Sequence, residues 1–190
     1  MQTASKQKTL PGHEGIWIII FGDLLVFSLF FGTFFYYRSA HIDVYQTGQD
    51  SLNEYFGLIN TFLLLTSSWL VAMSLHKARL KNLPAFRKNI LAAMALGIGF
   101  CLSKIIEYRE KFAAGKTVVT DEFHMFYFMY TGIHMVHVCV GLTTLYFLYR
   151  MFNDECITDG KLKTLESGAA FWHLVDLLWI VLFAILYLMS

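Results

Sequence analysis

Five apolar stretches, each long enough to cross a bilayer, recur along the chain at 16–37, 57–75, 89–108, 124–149 and 168–189, separated by short polar segments. A hydrocarbon core of roughly 30 Å asks for about 20 apolar residues per helix, because backbone N–H and C=O groups must pair within the segment where no water reaches them. The pattern therefore predicts an all-α, polytopic membrane protein built as a bundle of five transmembrane helices. It divides into a cytoplasmic N-terminal segment at 1–15 and a single five-helix membrane domain at 16–190. The first apolar run follows Lys6 and Lys8, but it is too long for a signal-peptide core and has no small-residue cleavage site. It reads as a retained span. The segment 41–54, with Gln46, Gly48, Gln49 and Asp50, reads as a polar external loop, partly disordered.

Loop charges orient the bundle, because Lys and Arg are kept on the cytoplasmic side. One side carries Lys6, Lys8, Lys77, Arg79, Lys81, Arg87, Lys88, Arg150, Lys161 and Lys163, whereas the other carries Arg38, Arg109, Lys111 and Lys116. The N-terminus is thus expected in the cytoplasm and the C-terminus outside. Trp17, Tyr36, Tyr37, Tyr108, Tyr149 and Tyr187 fall near the ends of the predicted spans, as interfacial aromatics do.

Composition agrees with lipid as the solvent. Of 190 residues, 56% are hydrophobic and 15% charged, against about 25% charged in soluble domains. The net charge of +1 and scattered cations provide no basic face for a phosphate backbone, so nucleic acid is not an expected partner. Cys101 and Cys139 lie in apolar stretches and Cys156 in a loop, which gives neither a disulfide framework nor a metal-binding spacing.

Ionisable side chains inside the spans are the informative exceptions, since each costs roughly 2.5–3.5 kcal/mol at mid-membrane on insertion scales. Asp23 sits among apolar neighbours in the first span, either as a hydrogen-bonded or neutral carboxyl or as a proton-responsive one. Lys104 and Glu107 are three residues apart on one helix face and are expected to form an ion pair near the outer end of the third span. His134 and His137 in the fourth span share that spacing, as do His173 and Asp176 in the fifth. A buried network of Asp23, His134, His137, His173 and Asp176 across spans one, four and five is the expectation. Three readings of the histidines stay open: hydrogen bonds that fix packing, proton handling, and metal or haem ligation. The ligand pattern for a bis-histidyl haem or a di-iron centre is incomplete, so no metal and no cofactor is expected. Gly22, Gly32, Gly97, Gly99, Gly132 and Gly141 mark places where helices can approach closely.

Five blocks, in order, resemble the subunit III family of haem-copper oxidases. Gly15 and Trp17, followed by Phe21, Gly22 and Asp23, are similar to a Gly-x-Trp segment with an intramembrane carboxylate. Asn60, Thr61, Leu63, Leu64, Ser67 and Ser68 match an Asn-Thr-x-Leu-Leu-x-x-Ser-Ser run. Gly99 and Phe100 lead into Lys104, Glu107 and Tyr108, resembling a helix that ends in Glu-Tyr, with Lys104 where many oxidase members have Gln. Thr131, Gly132 and His134, then His137, Val138 and Gly141, resemble Thr-Gly-x-His and His-Val-x-x-Gly. Trp172, His173, Asp176 and Trp179 resemble Trp-His-Phe-x-Asp-x-x-Trp.

The resemblance implies a non-catalytic accessory subunit in a bacterial inner membrane, without haem or copper. It would support the assembly, stability or proton uptake of a haem-containing catalytic subunit, with membrane lipid and a structural phospholipid as further partners. Five spans, without the two N-terminal helices of longer members, together with the 59–69 run and Lys104, Glu107 and Tyr108, look most like the accessory proteins of nitric oxide reductase. A small haem-binding electron carrier using His134 or His137 with His173, and a proton-coupled transporter built on Asp23, Lys104, Glu107 and Asp176, are the alternatives. Transporters usually show broken helices and paired repeats, and no repeat is visible.

Overall fold

A computed structural model describes residues 12–152 and 158–189. Lys6, Lys8 and Cys156 lie outside the described residues. The described chain is helical: α1 (Glu14–Ala40), α2 (Ile42–Asp50), α3 (Glu54–Arg79), α4 (Leu83–Ala113), α5 (Glu122–Met151) and α6 (Asp159–Phe183), the last running into a π-helical turn (Ala184–Leu188). Five of these, α1, α3, α4, α5 and α6 with its π turn, are long and apolar enough to cross a membrane. The helices extend beyond the apolar runs because their polar ends are capped. Asn53, Asn82, Asp121 and Thr158 each accept a backbone N–H of the first turn through a side-chain oxygen, satisfying donors that the helix itself cannot. The link from α3 to α4 is only three residues long, and Lys81 takes a left-handed backbone (φ 58°) to close it.

The expectation of a polar, partly disordered loop at 41–54 is corrected: it holds the helix α2. Tyr45, Gly48 and Gln49 of α2 are buried, with the Tyr45 ring edge-on to Phe34 of α1 and Phe123 of α5. Gln49 donates to the Ile185 carbonyl at 3.0 Å, tying α2 to the π turn.

Helix α6 is the axis of the bundle. Of its most apolar window, 67% is buried, against 17% for α1; α6 packs on both α3 and α5, and α3 and α4 form a close antiparallel hairpin. Gly97 on α4 and Gly141 on α5 have no side chain to keep the Trp172 ring of α6 away, and a Cβ at either would collide with it. Helix α1 lies at the margin, held to α5 by aromatic side chains, including Phe30 stacked on Tyr130, and by Tyr130 donating to the Phe30 carbonyl at 2.6 Å. Large apolar side chains cover the outer surface, for example Ile18, Leu25 and Leu29 on α1 and Phe62 and Trp69 on α3. For a protein dissolved in lipid this is the expected exterior.

Candidate functional site

The polar residues in the spans fall into four separate places. The most enclosed is formed by α4, α5 and the π turn. Lys104 and Glu107 of α4 lie one turn apart, and Lys104 Nζ donates to Glu107 Oε2 at 2.8 Å, to Tyr127 Oη at 3.2 Å and to Tyr187 Oη at 3.0 Å. Both phenols return a hydrogen bond to Glu107 Oε1, Tyr127 at 2.8 Å and Tyr187 at 2.5 Å. All three ammonium protons are therefore used, and both carboxylate oxygens are engaged. The Nζ also lies 5.1 Å over the Trp179 ring, where ring quadrupoles favour a cation. Lys104 and Glu107 are buried. Lys104 is thus turned into the bundle rather than reaching along the helix to the interface. Tyr108, one residue beyond Glu107, pairs with Thr131 at 2.6 Å.

Sequence reasoning found the Lys104 and Glu107 pair from its spacing and missed Tyr127 and Tyr187. Those come from other helices. Tyr187 reaches Glu107 from the π turn, which adds a residue to one helical turn and so rotates the side chains beyond it.

The five residues expected as one network are divided among the other three places. Asp23 of α1 faces His137 of α5, Oδ1 to Nε2 3.5 Å, and each side chain keeps part of its surface exposed. The other ring nitrogen of His137 meets the Ile133 carbonyl at 2.9 Å, and Phe27 packs edge-on to the ring. His134 is buried between Phe100 of α4, centroid 5.7 Å away, and Trp179 of α6, at 5.4 Å. Neither of its nitrogens has a hydrogen-bond partner among the described residues.

His173 and Asp176 lie in the seam between α6 and α3, which three polar pairs join along its length. Arg79 bonds Glu166 at 2.7 Å, Ser68 meets His173 Nδ1 at 2.5 Å, and Trp179 Nε1 donates to Thr61 at 3.0 Å. The 60–68 run singled out in the sequence therefore forms the α3 side of this seam. Among the described residues no group of three or more His, Cys, Asp or Glu could hold a metal ion, and Cys101 and Cys139 are free thiols.

Outside the spans, Asp121 caps α5 by accepting the His124 N–H at 2.8 Å and contacts His124 Nδ1 at 2.8 Å. Burial by itself would raise the Asp121 carboxyl, but the His124 backbone and ring outweigh it and hold the group below the usual carboxylate range. Burial pushes the Tyr45 phenol well above its ordinary value.

Comparison with known proteins places these features in a context. The family model described as "Cytochrome c oxidase subunit III" matches residues 3–190. The chain is 27% identical to "Cytochrome c oxidase subunit 3" of Alkalihalophilus pseudofirmus over 191 residues, covering 97% of this chain and 91% of that one. It is 27% identical to "Quinol oxidase subunit 3" of Bacillus subtilis over 180 residues, 93% of this chain and 86% of the other. It is also 25% identical over 182 residues to "Heme-copper oxidase subunit I+III" of Aeropyrum pernix, 93% of this chain but 22% of that longer protein.

Proposed function

The chain belongs to the cytochrome c oxidase subunit III family, and from that premise we propose that it docks through its membrane surface onto a haem-containing catalytic subunit. Proteins of this family are the non-catalytic third subunit of haem-copper oxidases. The observation that carries the partner is the Aeropyrum pernix protein, in which a segment similar to 93% of this chain belongs to a polypeptide named for subunits I and III together. Covalent continuity in one relative is the strongest form of the association proposed for separate chains here.

The polar groups support a stabilising rather than a redox role. His134 is clasped by Phe100 and Trp179, and His173 is engaged by Ser68 at another seam, so the two do not oppose each other across a pocket as a bis-histidyl haem needs. Lys104 and Glu107 are neutralised and sealed, which suits a fixed interior better than a transport path. Our reading therefore takes the chain to bind no haem or metal of its own.

Within the superfamily, nitric oxide reductase is the partner favoured by the 59–69 run and by Lys104, Glu107 and Tyr108. The reading also sets the protein in a bacterial inner membrane with its N-terminus in the cytoplasm. A phospholipid chain suits the apolar cleft of roughly 340 Å³ between α1, α5 and α6, lined by Ile16, Ile19, Val140, Phe147 and Phe171. Asp23, partly open beside His137, is the group we assign to any proton-linked support of the catalytic subunit.

Affinity purification of the tagged chain from its native membrane in a mild detergent tests the reading. A larger subunit with a haem absorption spectrum is expected in the eluate, in a fixed ratio to the chain. Recovery of the chain alone under conditions that keep other respiratory complexes intact overturns it.

A further inference from the structure

On the seam between α3 and α6, His173 stands at the centre of the span Asp159–Leu188, at mid-membrane depth. Its ring is exposed on the outer surface, and only Nδ1 has a partner, Ser68 Oγ at 2.5 Å. Just beneath lies Asp176, 7% exposed, whose Oδ1 has no hydrogen-bond partner among the described residues. His173 Nε2 is therefore left without a partner in a layer that holds no water to supply one, and Asp176 Oδ1, covered by the helices around it, is a second unpartnered polar atom behind it.

Several other polar side chains with some exposure in the spans are answered within the chain. Asp23 faces His137, while Ser28, Thr33, Thr143 and Thr144 bond carbonyls of their own helices. With Ser28 and Thr33 bonded to their own helix, the rest of the exposed face of α1 is apolar and asks nothing of a neighbour but packing. Around Ser68 and His173, by contrast, Leu65 and Trp69 on α3 and Leu177 on α6 stand exposed, at helical spacings that put them on the rim of the same seam. An apolar rim with a large aromatic around an unsatisfied polar centre is the build of an interface core.

We propose that the α3 and α6 face, centred on Ser68, His173 and Asp176, is the surface on which a transmembrane helix of the catalytic subunit docks. That helix presents a polar side chain of the Asn, Gln or Ser type, able to donate or accept, to the exposed His173 Nε2, with Asp176 behind it. The inference rests on the docking reading above and adds which face is used and what chemistry the partner must supply. Lipid covers the outer face of α1.

A photoactivatable benzoylphenylalanine at Leu65, Trp69 or Leu177, compared with the same probe at Leu25 or Leu29 of α1, tests it in native membranes. Adducts with the haem-containing subunit are expected from the first three positions and not from the last two. Adducts from α1 instead, or only lipid or second-copy adducts from the seam, overturn the inference while leaving copurification, and so the docking reading, in place. Failure to copurify overturns the docking reading itself. His173→Phe adds a second arm: on the order of tenfold less catalytic subunit is retained on the tagged chain, with only the small fall in melting temperature of the isolated chain that loss of the one Ser68 hydrogen bond brings. A melting temperature that falls in step with retention assigns His173 to internal packing and overturns its interface role.

Discussion

At the scale of single residues, the largest effects are expected where a charge is buried with its partner. Lys104→Met leaves the Glu107 carboxylate without its cation in the bundle interior, and breaking such a pair costs about 3–5 kcal/mol. Adding Glu107→Leu is expected to recover part of that loss, with the double variant clearly less destabilised than the sum of the two single variants. Recovery stays incomplete, because the Tyr127 and Tyr187 phenols have lost their acceptor. Chemical unfolding in detergent micelles reads both, and additive losses would mean that the ion pair is not one unit. His134→Phe tests the opposite case. The ring shape that packs between Phe100 and Trp179 is kept and two unpartnered nitrogens are removed, so stability is expected to rise by about 1–2 kcal/mol. A fall would show that a polar group meets the imidazole in the membrane. Asp23→Asn is expected to leave the amount of folded protein in the membrane unchanged, since an amide can still face His137 and the site is partly open. A large loss of inserted protein would make that pair structural. The sequence exposed pairs within one helix, Lys104 with Glu107 and His173 with Asp176, because a three-residue spacing fixes a shared face. It could not show what the other helices bring to that face, which is why Ser68, Tyr127 and Tyr187 were missed as partners.

At the scale of elements, the five spans were legible because apolar length in lipid is a severe constraint, whereas α2 was not. Its composition is polar and its register is set by three aromatic neighbours on α1 and α5, Phe34, Phe123 and Phe126. The π turn was equally hidden, since its sequence from Ala184 to Leu188 is ordinary apolar helix and only its hydrogen bonds to α2 and Glu107 distinguish it. The start of α5 shows how a cap ties an element to pH. Asp121 holds its folded value below that of a free carboxylate, so its contribution is present above the ordinary value of about 3.9 and disappears as pH falls through the folded one. Asp121→Ala is therefore expected to cost about 1 kcal/mol at neutral pH, with the difference from the parent shrinking as the medium is acidified below about pH 4. Unfolding curves at pH 7 and pH 3 measure it. A deficit that persists undiminished in acid would show that Asp121 acts by packing rather than as an ionised cap.

At the scale of the whole molecule, charge is arranged in two ways with different consequences. Inside the bundle it is neutralised locally, as at Lys104 and Glu107, so that the interior contributes nothing to the direction of insertion. At the ends it is lopsided: the end holding the α3–α4 link carries Lys77, Arg79, Lys81, Arg87 and Lys88, and the opposite end, with the α4–α5 loop, carries Arg109, Lys111 and Lys116. Lys111 is further occupied, donating to the Ser51 carbonyl at the end of α2. Cationic loops resist translocation, and this difference is what sets the N-terminus in the cytoplasm in our reading. In a chain with Cys101, Cys139 and Cys156 replaced by Ser, two exposed positions report the two ends: Leu80 at the α3–α4 link and Val119 in the α4–α5 loop. A membrane-impermeant maleimide is expected to label Val119→Cys in intact cells, and Leu80→Cys only after the membrane is opened. The reverse pattern would turn the bundle over. It would also place the Asp121 cap and the Lys104 cluster nearer the cytoplasmic side, where the catalytic subunit would have to be engaged from the opposite direction.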